Sequence, residues 1–288
     1  MLDPAAPAPG PILIRHPVPP ELAGLVAGIV GFAQHSAHPV ARRQPAGSLI
    51  PLILSFGPTL DVVSLSNGVG VGRHRSFIAG FMPGYASTRF EAEQHCLQIY
   101  LTPLGVTRLL GVPGRELAGR VLDADAVAPW LGAGFRDQLR GAGTWADRFA
   151  LVDRALRHRL TTASLRPEPF VAWMWEQIRR TSGRARIGEL IAQTGWSQRH
   201  AIARFTEQIG VSPKTAARVV RFEHALTALP DRPAAEVAAR LGFADQSHLI
   251  REVRRFSGWT PSELTPERTP TARAAIGGAP ELLPPGRR

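Results

Sequence analysis

A loose duplication near the C-terminal end constrains this chain more than any other feature. IGELIAQTGWSQRHAIARFTEQIG (187–210) and PAAEVAARLGFADQSHLIREVRRFSG (233–258) share one grammar. In each, a short helix with an apolar inner face ends at a glycine, Gly195 or Gly242, a residue that tolerates positive φ. An aromatic follows, Trp196 or Phe243, expected to plug the angle between two helices. Ser197 or Asp245 then caps a second helix. Ala201 and Phe205 in the first unit, and Leu249, Val253 and Phe256 in the second, recur at helical spacing and face inward. Gly210 closes the first unit, and Ser212-Pro213 opens a connecting helix over 213–229 that fixes the separation of the two units. A short helix bracing a second one is the logic of a helix-turn-helix, which lays the second helix in the major groove of DNA.

The rest of the chain is long enough for a second domain: 288 residues exceed one ordinary domain. A hydrophobic content of 44% excludes a mostly disordered chain. The net charge is +11, with Lys214 the single lysine among 34 basic residues. That basicity suits a polyanionic partner, although a solvated basic surface explains it equally well. Residues 1–165 hold 15 arginines against 11 acidic residues, whereas the shorter 166–288 hold 19 basic against 12 acidic. The excess is concentrated where the duplication lies. No apolar run approaches the roughly 20 residues of a membrane span. MLDPAAPAPGP lacks the charged and apolar regions of a secretory signal. The expectation is a cytoplasmic protein with no membrane contact.

Ahead of the duplication the signals are short and strand-like. Residues 1–20 read as a proline-rich flexible arm. Apolar or alternating runs at 49–56, 60–66, 76–82 and 96–103 are punctuated by Gly57-Pro58, Asn67-Gly68 and Pro83-Gly84. They predict a small barrel or sandwich. Helices are expected near 105–111 and 144–160, the second with Trp145, Phe149, Val152, Leu156 and Leu160 on one face as core or a dimer seam. The fold class is therefore α+β. A β-rich domain over 21–160 is followed by a linker over 161–168, where Pro167 and Pro169 discourage helix. An all-α domain of seven helices over 169–264 and a disordered tail over 265–288 complete the chain.

Residues 187–261 resemble the DNA-binding domain of the AraC/XylS family of bacterial transcription regulators. Gly242-Phe243, Asp245, Ser247, Arg251, Arg255, Gly258 and Thr260-Pro261 carry the likeness in the second unit. Gly195, Ser197, Phe205, Gly210, Ser212-Pro213, Arg221 and Ala225 carry it in the first. The front half is similar, more loosely, to the β-rich sensory domains that precede this module in the family. Ala201, Ala203, Ala216 and Val253 depart from it, standing where Leu, Arg, an aromatic and Phe are usual. The resemblance implies a transcription factor that reads two adjacent major-groove segments of double-stranded DNA with two recognition helices, modulated through its N-terminal domain. Base contacts would fall to Gln198, Arg199 and Ile202 in the first unit and to Gln246, Ser247 and Arg251 in the second. Arginine pairs bidentately with guanine and glutamine with adenine, whereas Ile202 meets only a thymine methyl or a sugar. Phosphate contacts, which set register without reading sequence, would fall to Ser197, Lys214, Arg218, His248, Arg254 and Arg255. Arg221 is expected in an internal salt bridge to Glu223 or Glu252. Trp196, Phe205, Phe222, Phe243 and Trp259 are expected in the core. A homodimer, RNA polymerase and an unidentified small-molecule effector are the further partners, with Phe56, Phe81 and Tyr100 as the candidate effector-lining residues.

Catalysis finds little support in the sequence. His35, His38, His74 and His95 lie in the β-rich half without the HxH spacing that brings ligands together from a strand. They read as surface or satisfied histidines, and no metal or cofactor is expected. Cys96 follows His95 directly, and adjacent strand residues point to opposite faces. Cys96 therefore reads as a buried structural residue rather than a nucleophile. GxSxG, Walker A, GxGxxG and HExxH motifs are absent. Two alternatives stand beside the regulator. An interaction protein with degenerate DNA binding predicts only association that vanishes as salt rises. A metal-dependent small-barrel enzyme predicts stoichiometric bound metal.

Overall fold

Gly, Pro and Asn turns cut the front half into ten strands in the computed structural model, which describes residues 11–264. These are β1 (Ile12–His16), β2 (Val26–His35), β3 (Val40–Gln44), β4 (Ile50–Ser55), β5 (Leu60–Leu65), β6 (Gly72–His74), β7 (Ser76–Ala79), β8 (Ala86–Phe90), β9 (Glu93–Leu101) and β10 (Val121–Asp123). They form two antiparallel sheets rather than a closed barrel, ordered β1-β2-β9-β4-β7-β10 and β3-β8-β5-β6. Within the expected arm, residues 12–16 form β1, which pairs with β2 from Ile12↔Ala33 to His16↔Ile29, and residues 1–10 fall outside the described residues. The expectation for 265–288 falls outside the described residues.

Strand alternation sorts the large sheet into two faces. Leu52 and Leu54 of β4, with Leu97, Ile99 and Leu101 of β9, pack toward one core, where helices cover the sheet. Ile53 of β4 and Cys96 of β9 point the other way, into the space between the sheets. The helices of the front half are α1 (Pro103–Gly105), running into a π-helical turn over Val106–Leu110, then α2 (Gly114–Leu117), α3 (Ala124–Val127), α4 (Ala133–Gly141) and α5 (Trp145–Thr162). Thr144 and Asp147 close a reciprocal capping box at the start of α5. Its stripe of Phe149, Val152 and Leu156 is buried on the outer face of the large sheet. The seam is thus internal core.

The back half holds α6 (Pro169–Arg180), α7 (Ile187–Gln193), α8 (Gln198–Ile209), α9 (Pro213–Ala228), α10 (Ala234–Leu241) and α11 (Gln246–Ser257). A closing 3-10 turn at Pro261–Glu263 makes the seventh helical element. Helix α9 is the hub, with Ala216, Val219, Val220, Phe222 and Ala225 fully or almost fully buried. The small Ala216 lets neighbouring helices close on it.

The front half grips both repeated units. Phe81 sits edge-on to Trp175 of α6, with ring centres 6.3 Å apart. At α8, Gly114 lies so close to the Gln208 carbonyl that a Cβ there would stand 2.4 Å from the oxygen. Arg115 pairs with Glu207 at 2.7 Å beside it. At α11, the Ala46 amide donates to the Phe256 carbonyl at 2.8 Å. Arg43 donates to the Gly258 carbonyl at 3.1 Å, its guanidinium lying over Tyr85 and Trp259. At α9, Glu223 accepts from the Ser48 amide at 2.9 Å and from the Ser48 hydroxyl at 2.6 Å.

Candidate nucleic-acid interface and inner cavity

The two repeated units are built by the same local chemistry. Gly195 and Gly242 turn the chain at φ +72° and +71°, in the left-handed region that side chains avoid. Ser197 accepts from the His200 amide at 3.3 Å and caps α8. Asp245 accepts from the His248 amide at 2.6 Å and caps α11. Each cap satisfies an otherwise orphaned helical N–H. Ala201 and Phe205 under α8, and Leu249, Val253 and Phe256 under α11, are buried on the inner faces.

The opposite faces are open. Gln198 and Arg199 are exposed at the start of α8, with Ile202 half-buried one turn on. Gln246, Ser247 and Arg251 are exposed on α11, and so are Arg254 and Arg255 further along. Among the described residues, Arg199, Arg251 and Arg254 have no carboxylate within ion-pair distance. The front half touches α8 and α11 near their C-terminal ends and leaves these side chains uncovered. Exposed Lys214 opens, with Arg218 and His248, into one groove between the two units.

Several side chains stand elsewhere than expected. Arg218 is held bidentately by the buried Glu252 carboxylate at 2.6 and 2.9 Å, so its charge is matched inside the domain. That bond also raises its pKa. The expected partner of Glu252, Arg221, instead donates to the carbonyls of Gly242 and Gly183, both at 3.1 Å, and lies over Phe243. Burial lowers the Arg221 pKa. The backbone carbonyls that Arg221 serves leave no trace in the side-chain sequence. His248 is turned back: its Nδ1 accepts from the Ala244 amide at 3.3 Å and its ring meets Phe243 edge-on. Trp196 is not a core plug, being 51% exposed, whereas Phe243 at the equivalent bend is 7% exposed. The indole stacks outside on His200, with ring centres 4.4 Å apart.

A second feature lies between the sheets. A cavity of about 170 Å³ is lined by Ile53, Leu60, Val62, Phe77, Phe90 and Tyr100 among others, and α9 closes one side with Glu223 and Thr227. Of the expected effector residues only Tyr100 reaches it. Phe56 faces the other side of the sheet against Trp145, and Phe81 belongs to the joint with α6. Sequence missed Arg42, which lines the same cavity. Its guanidinium lies between Phe32 and Phe90 and donates to Gln34. Burial lowers its pKa. Among the described residues it has no carboxylate partner. Tyr100 donates to the Gln98 amide oxygen at 2.6 Å, and its pKa is raised by burial. Cys96 is fully buried, with its thiol pushed up to about 12. His74 bonds Asp123 at 2.8 Å and the Gly70 carbonyl at 3.0 Å. Among the described residues no three His, Cys, Asp or Glu side chains gather as a metal site, and no helix is long and apolar enough to cross a membrane.

Comparison with known proteins finds a domain match in the C-terminal region. The family described as helix-turn-helix domain matches residues 190–266, which take in the second unit and all but the first three residues of the first. A segment of 84 residues is 30% identical to an uncharacterized HTH-type transcriptional regulator of Staphylococcus aureus strain MSSA476, and equally to one of strain N315. The match covers 28% of this chain, which spans about a tenth (11%) of the length of those relatives. Among solved structures, ToxT from Vibrio cholerae aligns over 82% of this chain and 96% of its own, with a TM-score of 0.45 and 8% identity. ToxT of strain O395 bound to (E)-4-(8-methylnaphthalen-1-yl)but-3-enoic acid aligns over 80% and 97%, with a TM-score of 0.46 and 9% identity. The C-terminal region is thus a helix-turn-helix domain of the kind found in bacterial transcription regulators.

Proposed function

We propose that the chain is a sequence-specific DNA-binding transcription regulator that reads two adjacent major-groove segments, with α8 in one and α11 in the next. The observation that carries this is the pair of exposed helix faces, Gln198 with Arg199 and Gln246, Ser247 with Arg251, joined by the buried helix α9. Each carries side chains that match base edges, and Arg199 and Arg251 have no carboxylate partner among the described residues. Adjacent major grooves on one side of a duplex recur about 34 Å apart, so one chain meets both without a twofold. Selection of genomic fragments by the full chain tests this, with Arg251→Ala alongside. The reading expects a recurrent bipartite site that the variant loses. Binding with no recurrent motif, abolished by moderate salt, would replace it with the interaction-protein reading.

The front half supplies the control. Its cavity matches in size an engineered apolar cavity of about 150 Å³ that admits benzene. Its polar lining includes Arg42 at one position and Glu223 of α9 at another. A small, largely apolar effector there touches the DNA-binding domain directly, through Glu223 and Thr227. An effector that occupies it shifts DNA affinity only by its differential affinity for the two states. Filling the cavity by Val62→Phe is therefore expected to alter operator affinity without touching the interface.

A further inference from the structure

Trp196 is the one aromatic among the large exposed hydrophobic side chains of the described residues. It stands at the bend of the first unit, between the turning Gly195 and the capping Ser197. Its indole is stacked on His200, one turn into α8, with ring centres 4.4 Å apart and planes 27° from parallel. Phe170 at the start of α6 backs both rings, at 6.0 and 6.2 Å. Phe170 itself packs on the helical core. The three rings form a triangular cluster, with Phe170 toward the helical core and Trp196 toward solvent. An indole fixed in this way has already lost much of its rotamer freedom, so ordering it against a partner costs little.

We propose that Trp196 is a DNA-contact residue: it packs on the sugar–phosphate strand beside the first half-site and directs its indole N–H at a phosphate oxygen. This rests on the DNA-binding reading above. The indole adjoins Gln198 and Arg199, exposed at the same end of α8, so it is continuous with the proposed interface. Arg199 lacks a carboxylate partner among the described residues and favours an anion nearby. An indole presents an apolar face, one donor and no acceptor, the complement of a deoxyribose beside a phosphate. In the second unit Phe243 occupies the equivalent bend, is buried, and has no donor to offer. The anchor therefore belongs to the first unit alone. That unit carries Ile202 and Ala203 on the helix that enters the groove, and so is poor in base readers. Trp196 gives it position where it lacks readout, since backbone contacts set register without reading bases.

The test compares wild type, Trp196→Ala and Trp196→Phe, all as full chains, on the selected operator and on an unrelated duplex. Loss of a hydrogen bond to a charged acceptor predicts operator binding weaker by about 10- to 100-fold in Trp196→Ala. Trp196→Phe keeps the ring on His200 without the donor and is expected to lose about tenfold. Unrelated duplex weakens in parallel, because phosphates are common to both. Hydroxyl-radical protection of the strand beside the first half-site disappears while that of the second half-site remains. Wild-type operator affinity in a folded Trp196→Ala, or in Trp196→Phe if the alanine variant does not fold, overturns the proposal and leaves the DNA-binding reading intact. Unchanged DNA affinity with loss of a transcriptional response assigns the ring cluster to a protein partner and also overturns it. If the wild type selects no DNA, the DNA-binding reading falls first and this inference with it.

Discussion

Ser48 and Glu223 tie the loop between β3 and β4 to helix α9, and breaking that tie should be felt across the whole chain. Ser48 is 2% exposed and Glu223 is 7% exposed. The carboxylate takes both the Ser48 amide, at 2.9 Å, and the Ser48 hydroxyl, at 2.6 Å. A buried hydrogen bond to a charged group contributes about 1.5–3 kcal/mol net. Ser48→Ala removes the hydroxyl and keeps the amide bond, so a loss of about 2 kcal/mol is expected. Glu223→Gln keeps the volume but replaces a charged acceptor with a neutral one, which should cost about 1–2 kcal/mol. Because both variants strike one bond, the double variant should fall short of the sum by about 1 kcal/mol. Urea unfolding followed by tryptophan fluorescence measures all four corners, provided the m-value holds. Single losses below about 0.5 kcal/mol, or additivity within that margin, would refute the claim that this contact couples the two halves.

Four further outcomes follow from the same geometry. Asp245→Ala removes the cap of α11 and should lower stability by about 1 kcal/mol; the melting temperature checks it, and DNA affinity should drop with it. Gly195→Ala places a Cβ where nothing stands within 4 Å, yet at φ +72°, so it should cost only the backbone strain of about 1–2 kcal/mol. Gly114→Ala, by contrast, drives a Cβ into the Gln208 carbonyl and should part the front half from α8, which limited proteolysis would report as newly exposed sites there. Burial holds the Cys96 thiol protonated up to about 12, whereas an unfolded thiol ionises near 8.5. The unfolded state then binds fewer protons in that window, and stability should fall as pH rises above about 8.5. A thiol reagent at pH 8 should leave folded protein unlabelled, and rapid labelling without unfolding would contradict this.

The sequence disclosed most where one residue type has one local job. Gly195, Gly242, Ser197, Asp245 and Ser212-Pro213 marked turns and caps that the structure places where the spacing put them. The strands β4, β5, β7 and β9 were legible because their apolar residues face a core. Strands β3 (VARRQ) and β8 (ASTRF) were not, since they form part of the smaller sheet and carry little apolar alternation. Side-chain partners were the hardest to foresee. Arg218 and Arg221 lie three residues apart on α9, and which one meets Glu252 depends on where α11 crosses, a matter of packing rather than spacing. Arg42 escaped notice because its isolation in a cavity appears only once two sheets are brought together. Trp196 misled because the matching Phe243 of the second unit is buried, whereas Trp196 lies outside, stacked on His200.

On the proposed function, two helices of one chain read one bipartite site. The most direct measurement is selection of genomic DNA by the full chain at about 0.15 M salt, where non-specific phosphate binding is already weak. The account predicts a recurrent motif with two half-sites about one helical turn apart, weakened at the first by Arg199→Ala and at the second by Arg251→Ala. A single short motif, indifferent to Arg199, would contradict the two-helix reading, and no enrichment at all would contradict the regulator itself.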